Sequence, residues 1–215
     1  MLLTALLLCS SSSANPPGSH GDHAKAHHRF DDAEKWSKVF DDPKRDAWQQ
    51  PAIVVEAMAI EPGMVVADIG AGTGYFNGYL AAAVGPEGKV IAVDIEPNLI
   101  DHMKKRAEKE STPQVEARLT QPDASGLQAG EVDRVILVDT YHHIQARTEY
   151  FKSLRENMKK GGKLAIVDLT KEAPFGPPVD QRLTAEQVTT ELAKAGWTQA
   201  RVVDGLQHQY MVVYE

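Results

Sequence analysis

The chain has 215 residues, of which 42% are hydrophobic, and its formal net charge is -7. This size suits one α/β domain with a full core plus an additional segment at one end. The negative charge argues against sequence-independent binding to a nucleic-acid backbone, because that binding requires a basic surface. The single cysteine, Cys9, excludes an internal disulfide framework and a cysteine-rich metal centre.

The first predicted segment, residues 1–28, is a leader followed by a flexible linker. Its apolar run "MLLTALLLC" is typical of a secretory signal, and no run in the chain approaches the roughly 18 apolar residues that span a bilayer. Cleavage after Ala14 and lipidation of Cys9 are both open, since "LLLC" resembles a bacterial lipoprotein box. We therefore expect an exported or membrane-anchored, periplasm-facing protein. A disordered cytoplasmic leader is the alternative, because no Lys or Arg precedes the run and Leu8 is large.

Histidines are concentrated in the Ser-, Pro- and Gly-rich residues 10–28, which predict a flexible linker. The histidines of this linker are His20, His23, His27 and His28. Imidazole is a common ligand of transition metals, so weak metal binding is one interpretation. A solvated tract is the interpretation that we favour, and we predict no metal site.

Residues 30–62 predict a helical cap on the main domain. Asp31 or Asp32 can cap a helix over 33–40, and the run "AIVVEAMAI" (52–60) predicts a second helix with an apolar face.

From residue 63 to 215, strands and helices alternate. Strands are predicted at Met64–Ile69, Lys89–Asp94, Val115–Leu119, Val132–Asp139, Lys163–Asp168, Ala200–Asp204 and Gln209–Tyr214. Helices are predicted at Tyr75–Val84, Pro97–Glu110, Ala146–Met158 and Ala185–Ala195, with Gly161–Gly162 as a helix stop. This alternation predicts a mostly parallel sheet with helices on both faces. The last two strands have no helix between them and predict an antiparallel hairpin.

Three glycines at alternate positions, Gly70, Gly72 and Gly74, follow the first predicted strand. Glycine lets a backbone approach a ligand closely, and a helix beginning near Tyr75 would aim free N–H groups at the loop. The spacing G-x-G-x-G differs from the dinucleotide fingerprint G-x-G-x-x-G. Asp68 lies two residues before the first glycine, where a carboxylate disfavours a pyrophosphate but tolerates an ammonium and a sulfonium. The loop therefore favours S-adenosylmethionine over a nicotinamide dinucleotide.

Acidic residues also follow the next two predicted strands. Asp94 ends the second strand and can accept two hydrogen bonds from the ribose hydroxyls of either cofactor. Asp123 follows the third strand and can accept a hydrogen bond from an adenine amino group. Local alternatives are open for each acid: Asp68 could cap the turn, and Asp94 could cap the next helix. Asp123 could form an Asx turn before Gly126.

Five stretches, in this order, resemble the class I S-adenosylmethionine-dependent methyltransferases. They are "VVADIGAGTGYF", "VIAVDIEP", "QPDA", "DRVILVDTYHHI" and "MKKGGKLAIVD", and the resemblance covers about 62–215. The stretches "HHRFDDAEKWSKVFDDPKRDAWQQP" and "FGPPVDQRL" are similar to a bacterial subgroup of small methyltransferase-domain proteins, several with secretory or lipoprotein leaders. The resemblance implies a Rossmann-like, doubly wound, seven-stranded sheet in the order 3-2-1-4-5-7-6, with strand 7 antiparallel.

The resemblance also implies a set of cofactor-binding residues. Asp68 and the backbone of the three glycines would face the methionine moiety of the cofactor. Asp139 would lie beside the same end of the cofactor. Asp94 would bind the ribose, while Ile95 and Asp123 would contact the adenine. The full set is Asp68, Gly70, Ala71, Gly72, Gly74, Asp94, Ile95, Asp123 and Asp139.

The candidate catalytic residues Tyr141, His142 and His143 follow the fourth predicted strand, where the methyl group should point. A histidine of ordinary pKa can accept a proton at neutral pH. If the strand alternation continues, the two histidines face opposite ways and at most one reaches the substrate. The alternative is that one packs in the core and the other bonds to backbone. In the cap, we hypothesise that Arg45 lies near a carboxylate as the segment closes over the cofactor, with a surface arginine as the alternative.

We predict an S-adenosylmethionine-dependent methyltransferase of EC 2.1.1 type that transfers a methyl group to a small-molecule acceptor by in-line displacement and releases S-adenosylhomocysteine. A nicotinamide-dependent oxidoreductase and a non-catalytic binding module on the same fold are the alternatives. We expect a monomer or homodimer with no nucleic-acid partner. A multi-cysteine arsenite mechanism is disfavoured, because Cys9 is the single cysteine.

Overall fold

The computed structural model describes residues 32–215. The predictions for the leader and the histidine-rich linker, including cleavage, export and a lipid anchor at Cys9, lie outside the described residues and stay predictions. So does the possible helix cap by Asp31. Within the described range, no helix combines the length and the apolar character that a membrane span requires.

A seven-stranded sheet in the order β3-β2-β1-β4-β5-β7-β6 forms the centre of the fold. Its strands are β1 Val65–Ile69, β2 Lys89–Asp94, β3 Val115–Leu119, β4 Val132–Val138, β5 Met158–Leu169, β6 Gln199–Val203 and β7 Gln209–Tyr214. Strands β1 to β5 pair in parallel, and β7 runs antiparallel to both of its neighbours. The predicted order and the antiparallel seventh strand are confirmed.

Seven helices surround the sheet in the described part of the chain: α1 Ala33–Phe40, α2 Arg45–Gln49, α3 Pro51–Ala57, α4 Asn77–Val84, α5 Pro97–Glu110, α6 Arg147–Asn157 and α7 Ala185–Lys194. The carboxylate of Asp32 accepts from the backbone of Lys35 and caps α1, as predicted. The helix α2 was not predicted. It ends at Gln50, whose left-handed conformation turns the chain into Pro51 at the start of α3.

Apolar side chains fill the space on both faces of the sheet. Alternate residues of β4 point to opposite faces, so Val135 and Leu137 pack towards α6 and α7, while Ile136 and Val138 pack towards α3 and α4. The inner parallel strands β1, β2 and β4 are therefore buried on both sides, which explains why their sequences are largely apolar. The polar residues of these strands lie towards their ends, and Asp68 and Asp94 lie towards the carboxyl ends.

The glycine pair Gly161–Gly162 does not stop a helix, as the sequence predicted, but lies inside β5. The helix α6 ends earlier, at Asn157. The pairing of β5 with β4 shifts register between Val132 and Arg134. Glycine in a strand is typical of such an irregularity, because Gly161 adopts a φ of 78° that other residues rarely adopt.

Candidate active site

The glycine loop, residues 70–76, joins β1 to α4 at the carboxyl end of the sheet. The N–H groups of Gly70 and Ala71 both donate to the carbonyl of Val93 on β2, at 2.8 and 3.0 Å. These bonds hold the loop across the ends of the two strands. Loops at this position of a doubly wound sheet are where ligands bind.

The three glycines of the loop have φ values between +60° and +81°, in the left-handed region. A Cβ on Gly70 would lie 2.4 Å from the side chain of Thr140, so no side chain fits there. A Cβ on Gly72 would meet only the ring of Phe40, at 3.8 Å. Gly70 is therefore required by packing, whereas Gly72 keeps a surface open beneath the cap.

The helix after the loop begins at Asn77, two residues later than predicted. The N–H of Gly74 donates to the carbonyl of Ala71 at 2.9 Å, and the N–H of Asn77 donates to Gly74 at 3.0 Å. The N–H groups of Gly74 and Asn77 therefore have partners within the loop. That the start of this helix directs free N–H groups at a ligand stays a prediction.

Asp68 is a buried acid on β1, with 3% of its surface exposed. Its carboxylate accepts no hydrogen bond from any residue between 32 and 215, so the alternative of a turn cap is not formed. Burial and the charge of Asp94 raise the pKa of Asp68 to about 7. A buried carboxylate of this kind is a natural position for a ligand cation.

Asp94 ends β2, and three backbone N–H groups hold its carboxylate. Gly72 donates to Oδ2 at 2.8 Å, while Ile95 and Glu96 donate to Oδ1 at 2.7 and 3.1 Å. A carboxylate has about four acceptor positions, so this arrangement leaves room for one ribose hydroxyl rather than the predicted two. Burial raises the pKa of Asp94, although the three N–H groups oppose that rise. The exposed fraction of Ile95 is 46%, which leaves its side chain open to a flat ring.

Asp123 lies on an exposed turn after β3. Its carboxylate makes no hydrogen bond in the described part of the chain, so the Asx turn is not formed. The structure therefore leaves its adenine-binding role as a prediction.

The cap lies directly on the glycine loop. At the end of α1, Asp41 accepts hydrogen bonds from the hydroxyl of Thr73 at 2.8 Å and from Arg106 of α5 at 2.9 Å. On α2, Asp46 accepts a hydrogen bond from the hydroxyl of Tyr75. These contacts place both cap helices over the carboxyl ends of β1 and β2.

Arg45 extends from α2 towards the loop. Its guanidinium donates to the carbonyl of Phe40 at 2.9 Å and, through two nitrogens, to Oε1 of Gln49 at 3.2 and 3.0 Å. It also stacks on the ring of Tyr75, 4.0 Å from the ring centroid. Burial lowers the pKa of Arg45, against the charge of Asp139.

A buried chain of hydrogen bonds connects the cap to the end of β4. The amide of Gln49 donates to Oε1 of Gln209 at 2.6 Å, and the amide of Gln209 donates to Asp139 at 2.8 Å. Asp139 adopts a φ of 51°, which turns it out of the strand. Burial and the charge of Asp168 raise the pKa of Asp139. Neither glutamine was predicted as a site residue, because no sequence pattern connects residues 160 positions apart.

His142 pairs with a buried acid that the sequence analysis did not assign. Its Nδ1 lies 2.9 Å from Oδ2 of Asp168, and the N–H of Leu169 donates to Oδ1 of the same carboxylate at 2.8 Å. Burial would lower the pKa of His142, but the hydrogen bond and charge of Asp168 outweigh it and raise that pKa. No bond to Nε2 is formed by the residues described. Asp168 lies near the carboxyl end of β5, the strand beside β4. This position in the sequence pattern could have identified it as a site residue.

The two other catalytic candidates lie differently from the prediction. Tyr141 to His143 form a 3₁₀ turn, so the expected alternation of the two histidines is wrong, and their rings lie 4.1 Å apart. His143 is exposed. Tyr141 is fully buried, and its hydroxyl donates to Glu191 on α7 at 2.9 Å. This placement argues against a catalytic role for Tyr141.

Across residues 32–215, no group of three or more His, Cys, Asp and Glu side chains is arranged to hold a metal ion. The donors that are present suit a zwitterionic nucleoside instead. Asp68 offers a carboxylate to a cation, Asp94 keeps an acceptor position beside the open side chain of Ile95, and Arg45 faces the same loop.

Comparison with known proteins agrees with this arrangement. The family described as a methyltransferase domain matches residues 60–212. The crystal structure of an S-adenosylmethionine-dependent methyltransferase from Aquifex aeolicus has a TM-score of 0.80 and 28% sequence identity, covering 85% of this chain and 97% of that chain.

Two curated relatives are similar over shorter stretches. An arsenite methyltransferase of Halobacterium salinarum is 32% identical over 138 residues, which cover 64% of this chain and 34% of the relative. Protein-L-isoaspartate O-methyltransferase 2 of Arabidopsis thaliana is 33% identical over 111 residues, which cover 50% of this chain and 35% of the relative. The chain thus spans about a third of the length of these relatives. It belongs to the class I S-adenosylmethionine-dependent methyltransferases, and its cofactor is S-adenosylmethionine.

Proposed function

We propose that this protein transfers the methyl group of S-adenosylmethionine to a small-molecule acceptor and releases S-adenosylhomocysteine. The observation that supports a small acceptor is a cluster of three rings, Trp48, Phe175 and His208, that joins the cap to the loops beside β5 and β7. We call this cluster the roof. The ring of Trp48, on α2, packs on the ring of Phe175 in the loop after β5, with the centroids 4.6 Å apart. Phe175 in turn contacts His208 before β7, at 5.4 Å. A site roofed from two sides favours a small acceptor over the surface of a folded protein.

The relatives differ in their acceptors, since one is named for arsenite and the other for protein isoaspartate. We do not extend either acceptor to this chain. The single Cys9 disfavours arsenite chemistry that depends on several cysteines, and the roof disfavours a folded protein.

We assign the cofactor contacts as follows. Asp68 binds the ammonium group and Asp139 lies beside the methionine end. Asp94 accepts from a ribose hydroxyl, and Ile95 packs on the adenine. When bound, S-adenosylmethionine supplies an electrophilic methyl group on a positively charged sulfur, and alignment with the acceptor then provides much of the rate.

For an acceptor that carries a proton, His142 is the base that the geometry supports best. An imidazole that donates Nδ1–H to the carboxylate of Asp168 keeps the lone pair of Nε2 for the acceptor. Asp168 thus acts as a positioning residue that selects the tautomer and holds the ring. An acceptor that is already ionised needs no base, and its transfer would not depend on His142.

Two alternatives make different predictions. A nicotinamide-dependent oxidoreductase would bind NAD⁺, which the loop spacing and the family membership disfavour. A non-catalytic module would bind S-adenosylmethionine without transferring the methyl group. The acids at the ends of β1 and β2 support cofactor binding, but binding alone does not separate an enzyme from a module.

Calorimetry on the full-length protein is the first test of this proposal. We expect saturable binding of S-adenosylmethionine and S-adenosylhomocysteine and no binding of NAD⁺. The second test incubates the protein with methyl-labelled S-adenosylmethionine and two sets of acceptors, small hydroxyl, amine and thiol compounds in one and folded proteins in the other. Label in the small compounds alone is the expected result. If the correctly folded methyltransferase binds neither S-adenosylmethionine nor S-adenosylhomocysteine at millimolar concentration, the proposed function is contradicted. If label appears only in the acceptor proteins, the proposal of a small-molecule acceptor is contradicted.

A further inference from the structure

The segment between β5 and α7, residues 170–182, has little regular structure, and we call it the strap. Its regular part is a short 3₁₀ turn, Val179–Gln181. Three of its residues lack the backbone N–H group that a helix or a strand requires, namely Pro174, Pro177 and Pro178. The carbonyl groups of such a segment need partners from side chains, because a buried carbonyl is costly when it is unpaired.

The guanidinium of Arg182 supplies these partners. Arg182 is 8% exposed, and its nitrogens donate to four carbonyl groups of the strap. The acceptors are the carbonyls of Thr170 at 3.0 Å, Ala173 at 2.7 Å, Phe175 at 2.8 Å and Pro177 at 2.8 Å. No carboxylate oxygen of the described residues lies within 4.0 Å of this guanidinium. The backbone dipoles of the strap therefore stabilise the buried charge, and the strap is wrapped around it.

Arginine suits this position because its five N–H donors lie in one plane and point in different directions. The Nε of Arg182 bonds to Pro177, while its Nη1 bonds to Thr170 at the other end of the wrapped backbone. One rigid group thus fixes the two ends relative to each other. The compact ammonium of a lysine could not reach all of these carbonyls at once.

The strap is held against the site. A Cβ on Gly176 would lie 2.3 Å from the side chain of Leu169, so the backbone of the strap lies directly on the end of β5. Leu169 follows Asp168, whose carboxylate contacts His142. Phe175, next to Gly176, contributes its ring to the roof. The strap therefore joins the roof to the end of β5 that carries the pair of His142 and Asp168.

We propose that Arg182 is a positioning residue that holds the strap as a preformed wall of the acceptor site and thereby limits the size of the acceptor. This inference rests on the proposed function and adds the residue that determines its selectivity. A wall with one shape before binding admits a compact acceptor with little cost of ordering. A larger acceptor would have to displace Phe175, which breaks bonds between Arg182 and the backbone of the strap.

The test uses the full-length wild type, Arg182→Gln, Arg182→Lys and the control Arg155→Gln. Arg155 is an exposed arginine of α6 whose guanidinium also donates to a backbone carbonyl, that of Gly196, outside the strap. Calorimetry with S-adenosylhomocysteine reports whether the cofactor site is intact. The label-transfer assay is repeated for each protein, with the small acceptors sorted by size.

Digestion by endoproteinase Lys-C reports the mobility of the strap without any acceptor. Lys171 is an exposed residue of the strap, and Lys194, exposed at the end of α7, is the reference site in the same molecule. Mass spectrometry compares the rates of cleavage after the two lysines. This measurement uses Arg182→Gln, because Arg182→Lys introduces a new cleavage site.

We expect Arg182→Gln to be cleaved about 10- to 100-fold faster after Lys171 and at an unchanged rate after Lys194, since the strap alone loses its charge-assisted hydrogen bonds. Its affinity for S-adenosylhomocysteine should stay within about threefold of the wild type.

For the acceptors, we expect a change in KM rather than in kcat. In Arg182→Gln, the KM of the best small acceptor should rise about tenfold, and kcat should change by less than about threefold, because the strap must be ordered upon binding. The preference for small over large acceptors, measured by the ratio of their kcat/KM values, should fall about tenfold. Arg182→Lys should give an intermediate change, and Arg155→Gln should behave as the wild type.

The opposite results decide against the proposal. Unchanged cleavage after Lys171 in a folded Arg182→Gln protein means that Arg182 does not hold the strap. Equal losses of cofactor and acceptor binding, or an unchanged preference for small acceptors, mean that Arg182 only supports the fold, and the proposed function stands. If Arg182→Gln does not fold, Arg182→Lys provides the same comparison in the acceptor assay. A wild type that labels no small acceptor overturns the proposed function and this inference together.

Discussion

At the scale of single residues, Asp68 has a charge that the folded chain does little to stabilise. Burial and the nearby charge of Asp94 favour its neutral form, and Arg45 only partly offsets them. An amide or an apolar side chain at this position would avoid the cost of burying a poorly stabilised charge. That an acid is present indicates that its partner arrives with the ligand.

We therefore expect the affinity for S-adenosylhomocysteine to increase with pH. The pKa of Asp68 is about 7 without ligand, and the ammonium group requires the ionised carboxylate. Between pH 6 and pH 8 the ionised fraction rises about tenfold, and the affinity measured by calorimetry should rise by a similar factor. Affinity that is constant over this range would contradict the assignment of Asp68 to the ammonium group.

The same pKa has the opposite consequence for stability. Because the folded pKa of Asp68 lies above the value of about 3.9 for an unfolded chain, its contribution to stability is fully present below pH 4 and is lost as the pH rises through 7. Asp68→Asn should raise the free energy of unfolding without ligand by about 1–3 kcal/mol at pH 8, and by less at pH 5. Urea denaturation measures both values, while the variant should lose most of its affinity for the ligand. Destabilisation at pH 8 would show that the carboxylate has a structural partner instead.

The pair of His142 and Asp168 makes a second prediction at this scale. Asp168→Asn removes the negative charge that raises the pKa of His142, so the imidazole should titrate at lower pH. Nuclear magnetic resonance follows this titration without any acceptor. For an acceptor that must lose a proton, His142→Gln should reduce kcat/KM by about 100- to 10,000-fold. A titration of His142 that is unaffected in Asp168→Asn would contradict the pairing.

At the scale of secondary-structure elements, the connection of β1 to α4 uses its glycines for different reasons. Gly70→Ala places a Cβ 2.4 Å from Thr140, whose branched side chain has little freedom to move. We expect a loss of about 2–4 kcal/mol in the free energy of unfolding. Gly72→Ala meets no such clash, so its cost should be the backbone strain of about 1 kcal/mol.

Urea denaturation of the two variants tests this difference, and calorimetry adds a second criterion. The added methyl group at residue 72 enters the space beneath the cap, so Gly72→Ala should weaken S-adenosylhomocysteine binding although it is the milder change for folding. Equal losses of stability in the two variants would mean that Thr140 moves aside.

Most elements could be predicted from the sequence because their signals are local. The bounds of β2, β3, β7 and α5 agree with the prediction, and Thr184 and Gln187 form the capping box before α7. The late start of α4 and the glycine pair inside β5 could not be predicted. Turns within the glycine loop and the irregular pairing with β4 decide these two cases, and both depend on neighbours in space.

At the scale of the whole molecule, the strand order explains which site residues could be predicted. Parallel strands present their carboxyl ends at one edge of the sheet, so Asp68 and Asp94 were expected there from the strand pattern, and Asp139 from the family resemblance. Asp168 obeys the same rule and could have been included. The contact between Gln49 and Gln209 joins two distant elements through neutral side chains, and neither periodicity nor charge indicates it.

The strand order also bears on how the protein is made. The strand β7 inserts between β5 and β6, and its first residue, Gln209, supplies a hydrogen bond to Asp139. During translation, the glycine loop and β4 leave the ribosome long before that residue does. Until then, a nascent chain lacks the hydrogen bond that Gln209 donates to Asp139, so we expect the cofactor to stabilise the finished molecule rather than to assist the early steps of folding.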